Sequence, residues 1–229
     1  LMDIPTEDAI KEFTGGSHLL VRSLVHMDNP DHQLYRSLTQ KWFAPPNLES
    51  LKKDIRNIAK EYVNKMVDHG NECDFAKDVA IFYPLRVIMS ILGVPKEDEP
   101  RMLRLTQELF GGRDEDMIRD ESETSSESNT ITDFFEYFNA LTEDRRKNPT
   151  NDVSSVIANA KINDEQLGHL EAMSYYIIIA TAGHDTTSSS TAGGILALIE
   201  NPDQLLKLKN NPSLMTVSYT HLRAHETGY

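Results

Sequence analysis

Residues 177–191, reading IIIATAGHDTTSSST, place His184, Asp185, Thr186 and Thr187 inside an apolar run of helical character. No other feature constrains the fold as strongly. A buried carboxylate without a partner costs roughly several kcal/mol, so the chain must either satisfy Asp185 or use it. The run lies within a predicted helix over residues 164–200, about 55 Å long at ~1.5 Å per residue, which is enough to span a domain and makes this helix a central element. Asn163 is its expected N-cap, and Gln166 at the third position completes a capping box.

Helix signals recur upstream. Asn29, Pro30 and Asp31 form a cap, a first-turn proline and a dipole-favourable acid, opening a helix toward Phe43 that ends before Pro45 and Pro46. Leu48, Leu51, Ile55, Ile58, Tyr62 and Met66 keep spacings of three and four, and Gly70 stops that helix. Further helices are predicted over residues 84–92, closed by Gly93, over 102–110, closed by Gly111 and Gly112, and over 131–148. Asn201 and Pro202 start one more short helix. Strand signals are few and centre on residues 73–75. Residues 113–130 are acidic, Ser-rich and almost without apolar side chains, which reads as a surface loop or disordered link. The fold class is therefore mainly α.

The chain has 229 residues and a formal charge of −13, with 23 Lys and Arg scattered among 36 acids, which argues against a nucleic-acid binder. Its single cysteine, Cys73, excludes an internal disulfide framework and a Cys-rich zinc site, as suits a reducing cytoplasm. Cys73 is expected to be a small buried residue at a strand start. Asp3, Glu7, Asp8 and Glu12 argue against a signal or transit peptide, and the longest apolar run, 175–183, is far shorter than the ~20 residues of a membrane span. A soluble protein without a membrane partner is expected. Because the chain begins at Leu1, its natural start is expected upstream.

Ala180, Ala182 and Gly183 thin one side of the central helix, so that something flat or another helix can approach its backbone. Six consecutive hydroxyl residues, Thr186 to Thr191, can bond back to carbonyls four residues earlier and bend the helix. A small-residue crossing between core helices, with the hydroxyls satisfied internally, accounts for the same pattern. His32 and Arg36 are one helical turn apart and can address a single anionic group, a carboxylate being well matched by a guanidinium fork and an imidazole donor. A solvated helix face would give the same spacing.

Ala182-Gly183-His184-Asp185-Thr186-Thr187 resembles the oxygen-binding stretch of the central helix in cytochrome P-450, the haem-thiolate monooxygenases. His26-Met27-Asp28-Asn29-Pro30-Asp31-His32-Gln33-Leu34-Tyr35-Arg36, continuing through Lys41-Trp42-Phe43-Ala44-Pro45, resembles the haem-propionate helix of bacterial members. LRVIMSILGVP at 85–95 and Asn201-Pro202-Asp203-Gln204-Leu205 extend the likeness over residues 19–214. The resemblance implies an incomplete cytochrome P-450 helical domain over 1–214 with a long central helix. It implies heme b (iron protoporphyrin IX), with His32 and Arg36 at its edge and Ala182 and Gly183 against its face. Asp185 and Thr186 would be the catalytic pair that organises water and protons around bound dioxygen. It further implies a small hydrophobic organic substrate, O2, and a ferredoxin or flavodoxin-type electron donor. His184 occupies a variable position of the motif and takes no catalytic role.

Two parts of the family pattern have no counterpart. Cys73 precedes the central helix, whereas the axial thiolate of the family follows it, so no metal ligand is assigned. The Glu-x-x-Arg spacing at Glu143 and Arg146 also falls before that helix and is coincidental. Residues 217–228, VSYTHLRAHETG, resemble translated sequencing-adaptor read-through, and 215–229 reads as a non-native tail. The chain is thus expected to be the N-terminal to middle portion of a longer gene product, itself inactive. Two rivals remain at this point: a metal-dependent phosphohydrolase of the HD type built on His184-Asp185, and a non-catalytic helical interaction module.

Overall fold

The computed structural model describes residues 23–70, 72–111 and 127–216. A short 3-10 turn, Leu24–His26, leads into α1, Asp31–Gln40, and α2, Pro45–Asp68. Ala44 is extended, at φ −71° and ψ 156°, because the ring of Pro45 disfavours helical backbone in the residue before it, and that separates the two helices. Gly70 follows α2 at φ 86°, a conformation that a side chain would strain.

The expected strand at 73–75 is absent. Phe75 is already helical, and Ala76–Ala80 form a π-helical segment running into α3, Phe82–Leu92. Cys73 is exposed, which corrects the expectation of burial. Gly93 closes α3 in the left-handed conformation, at φ 67°. Then come α4, Glu99–Gly111, α5, Glu127–Lys147, and a short α6, Val153–Ala158. The acidic stretch therefore ends earlier than expected, since 127–130 belong to α5, where the buried Thr130 hydroxyl donates to Glu108 Oε2 at 2.9 Å. Its remainder, 113–126, lies outside the described residues.

The long helix over 164–200 is three elements instead of one. Asn163 and Asp164 both adopt positive φ, 52° and 65°, and turn a two-residue hairpin between β1, Lys161–Ile162, and β2, Glu165–Gln166. Asn and Asp tolerate left-handed backbone, so the pair that resembles a helix cap closes a hairpin. Gln166 reaches the Ala158 carbonyl through Nε2 at 3.2 Å. The helical part then divides into α7, His169–Ala182, and α8, Asp185–Glu200, and α9, Pro202–Asn210, follows as predicted. The chain is described through residue 216; the rest of the expected tail lies outside the described residues.

The packing explains why α7 is central. Its sequence has apolar side chains all round and its residues Ala172, Met173, Tyr175, Tyr176, Ile177 and Ala180 are buried among α3, α4, α5 and α6. Phe134, Phe138 and Tyr176 stack at 5.8 and 4.8 Å between centroids. The Tyr176 hydroxyl donates to the Ser154 carbonyl at 3.2 Å and accepts from Thr142 at 3.0 Å, and burial pushes this phenol up to about 12. No described helix is long and apolar enough to cross a membrane.

The corner between α3, α5 and α6 is held by Asp152, the buried N-cap of α6. It accepts from the Ser155 amide at 2.7 Å, from Arg145 Nε at 2.7 Å and from Thr150. Arg145 also donates to the Gly93 carbonyl at 3.0 Å. Burial opposes charge on Asp152, but the bonds from Thr150, Ser155 and Arg145 outweigh it and hold the carboxyl below its ordinary range. Its stabilising contribution is therefore full above the unfolded carboxyl value, about 4, and is lost as pH falls through the lower folded value. Asp152→Asn is expected to cost about 1–3 kcal/mol in urea unfolding at neutral pH, with the difference from the parent chain shrinking on acidification.

Candidate functional site

The polar residues of the central run gather where α7 gives way to α8. The His184 amide bonds to Thr181 at 3.2 Å in a 3-10 turn, and regular helix resumes with the Ser188 amide on the His184 carbonyl at 2.9 Å. Asp185 is the first residue of α8, where a carboxylate meets the positive end of the new helix. Its side chain is 44% exposed. Thr186 follows, exposed, and the exposed Ala182 precedes it by one turn, so the two share one surface of the break.

The hydroxyl residues do not act alike. Thr181 and Thr191 bond back to Ile177 and Thr187, each at 2.7 Å, satisfying themselves within the helix. Thr186 Oγ1 lies 3.4 Å from the Ala182 carbonyl, the outer limit of a hydrogen bond, which leaves its hydroxyl available to another partner. Ser188 donates across the molecule to the Ala80 carbonyl at 2.7 Å.

That last bond has a cause in the sequence. Residue 84 is proline, so the Ala80 carbonyl meets no N–H four residues along, and the proline ring crowds it. The π-helical segment ends there. Ser188 supplies a donor to Ala80, and His184 Nε2 donates to the next carbonyl, Ile81, at 2.8 Å. His184 is fully buried. Its Nδ1 faces Asp185 Oδ1 at 3.3 Å and Thr106 Oγ1, on α4, at 3.5 Å. Sequence reasoning left His184 without a role; the signal for one was a histidine in an apolar run together with a proline near the start of another core helix.

The two small residues serve different neighbours. A Cβ on Gly183 would come within 2.3 Å of Ile88 Cδ1, so Gly183 lets α3 approach closely, while Ala182 lies on the open side. On α1, His32 is half-buried and Arg36 exposed, and among the described residues neither side chain makes a hydrogen bond or ion pair. The Tyr175 hydroxyl donates to the Tyr35 carbonyl and so ties α1 to α7. Burial pushes the Tyr175 phenol up to about 12, against the Thr39 hydrogen bond and the Arg36 charge. Tyr175 stands ten residues before Asp185, about 15 Å along the axis.

No group of three or more His, Cys, Asp or Glu side chains is placed to hold a metal among the described residues. The HD-type reading is left without support, because the Nε2 of His184 is engaged by a backbone carbonyl instead of facing an open site.

Known proteins share this sequence and this fold. The family model for cytochrome P450 matches residues 7–213. The chain is 42% identical over 222 residues to cytochrome P450-terp of a Pseudomonas species, covering 94% of this chain and 52% of that protein. The crystal structure of CYP108D1 from Novosphingobium aromaticivorans superposes with a TM-score of 0.79 at 45% identity, covering 94% of this chain and 50% of that one. Similarity to the methyl-branched lipid omega-hydroxylase of Mycobacterium tuberculosis is 31% over 184 residues, covering 80% of this chain and 42% of that protein. The chain spans about half the length of the relatives it matches.

The close approach at Gly183 is testable. Gly183→Val is expected to destabilise the chain by about 1–3 kcal/mol through overpacking against Ile88. Combined with Ile88→Ala it should cost less than the sum of the two single changes, a coupling read from chemical denaturation of the double-mutant cycle.

Proposed function

The chain belongs to the cytochrome P450 family, and on that premise we propose that it forms the oxygen-side half of a haem-dependent monooxygenase oxidising a small, apolar organic molecule. The observation that carries this reading is the surface shared by Ala182 and Thr186 at the break between α7 and α8. There a side chain no larger than a methyl group adjoins a hydroxyl held only weakly by its own helix, with the carboxylate of Asp185 beside it.

The residues present suit heme b. Ala182 leaves room for a flat macrocycle against the helix, and His32 and Arg36 carry donors without partners among the described residues, as two propionate carboxylates require. When bound, the haem supplies dioxygen activation and the redox chemistry of C–H oxidation. The work of this chain is to bind, orient and deliver protons. His32 and Arg36 would hold the propionates, Thr186 would donate its hydroxyl hydrogen at the open face of the break, and Asp185, half open to solvent, would take up protons from water and pass them toward Thr186. Electrons would come from a ferredoxin or flavodoxin-type partner.

The axial thiolate is not assigned to Cys73, which is exposed ahead of the π-helical segment, far in sequence from Asp185. In the reduced, CO-bound state the 229-residue chain is therefore expected to lack the strongly red-shifted Soret band of thiolate ligation. The edge contacts are tested by titrating the chain with haemin. His32→Ala and Arg36→Ala should each weaken binding about tenfold, ~1.4 kcal/mol, in keeping with hydrogen bonds to charged groups. Saturable binding that ignores both substitutions would overturn their assignment.

A further inference from the structure

The face that α2 turns toward α3 is polar. Asn47, Ser50, Asp54, Asn57 and Glu61 recur at spacings of three and four, so they form one stripe along the helix. A stripe directed at a neighbouring core helix is ordinarily apolar. Here it borders a groove of about 390 Å³ between α2 and α3, within the size range of small-molecule sites. Exposure separates floor from rim: Trp42 is buried and Arg86 half-buried, whereas Asp54, Asn57 and Asn151 are exposed.

The floor carries two donors without acceptors. Trp42 is 8% exposed, and its Nε1, the one polar atom of the side chain, has no hydrogen-bond partner. The Nε of Arg86 has none either, although Nη1 of the same guanidinium lies 2.7 Å from Glu99 Oε1. Buried donors are paired almost throughout folded chains, so two unpaired ones in the lining of a single groove mark a place for an acceptor. The rim supplies the opposite chemistry. Ser50 and Ser90 spend their hydrogens on the Asn47 and Val87 carbonyls, at 2.8 and 2.7 Å, and have only lone pairs left to offer. The side chains of Asp54, Asn57 and Asn151 make no hydrogen bond or ion pair among the described residues.

We propose that this groove binds a neutral polyhydroxylated molecule of one or two sugar rings. A hydroxyl both donates and accepts, which matches a lining of floor donors and rim acceptors. Ligand oxygens accept from Trp42 Nε1 and Arg86 Nε, and ligand hydroxyl hydrogens go to the Asp54 carboxylate and the amide oxygens of Asn57 and Asn151. An anion is matched less well. The Arg86 charge is taken by Glu99, Lys96 is held by Glu61 at 2.5 Å, and Asp54 stands without a cation. A wholly apolar molecule would leave both floor donors unpaired. None of the residues assigned to the haem takes part, so the inference goes beyond that reading.

Trp42 is the one tryptophan of the chain, and its indole N–H gives a single signal in a 1H–15N spectrum. The 15N-labelled full chain, without haemin, is titrated with glucose, with maltose and with inorganic phosphate while that signal is followed. Both sugars should move it along a saturating curve, and phosphate should not. Asn57→Ala, an exposed change, should weaken sugar binding about tenfold. Arg86→Lys, which keeps a cation for Glu99 but removes Nε, should weaken it by a similar factor, whereas Lys53→Ala on the same helix, outside the lining, should leave it unchanged. An indole signal that ignores both sugars, that drifts in proportion to every added solute, or that saturates with phosphate alone would overturn the proposal. Saturation by sugar that is indifferent to Asn57→Ala and Arg86→Lys would overturn it equally.

Discussion

The break in the central helix depends on two carbonyls, Ala80 and Ile81, on a different helix. Pro84 cannot donate to Ala80, and the chain before it winds into a π-helical segment whose end presents both oxygens toward α7 and α8. Buried carbonyls seek donors, and here they come from Ser188 and His184, more than a hundred positions away. Irregularity in one helix is thereby satisfied by irregularity in another. Each distortion supplies hydrogen-bond partners to the other, so these polar residues of the run are satisfied within an apolar core.

The rest of the site follows from that anchoring. Once the helix stops at Gly183 and restarts at Asp185, the carboxylate occupies a helix N-terminus and Thr186 loses a close partner for its hydroxyl. Gly183 lets α3 pack tightly through Ile88, so the break is supported from behind while Ala182 remains open in front. The deep side of the break is held by the bonds from His184 and Ser188 and by the close packing of Gly183 on Ile88.

Much of the architecture was legible in local pattern. The helices around 48–66, 84–92 and 131–148, and the short one after Pro202, were readable because cap, period and stop signals agree along each. Where two local readings compete, pattern fails. Asn163 followed by Gln166 is compatible with a capping box, but positive φ at Asn163 and Asp164 makes a hairpin, and nothing nearby in the sequence decides between them. Residues 73–75 have strand-like composition, yet no neighbouring strand exists among the described residues to pair with, and the segment joins the π-helical turn.

The sequence by itself determined that the chain is mainly helical, that residues 182–187 resemble a motif of its family, that His32 and Arg36 stand one helical turn apart on α1, and that its one cysteine precedes the central helix. These are properties of residue type and spacing. Tertiary structure alone decided that the central run is two helices, that Gly183 and Ala182 face opposite demands, and that His184 is the buried hinge of the site. The physical reason is that a polar side chain in an apolar run is defined by its partner, and the partners of His184 and Ser188 lie at Ile81 and Ala80, beyond the reach of any periodicity.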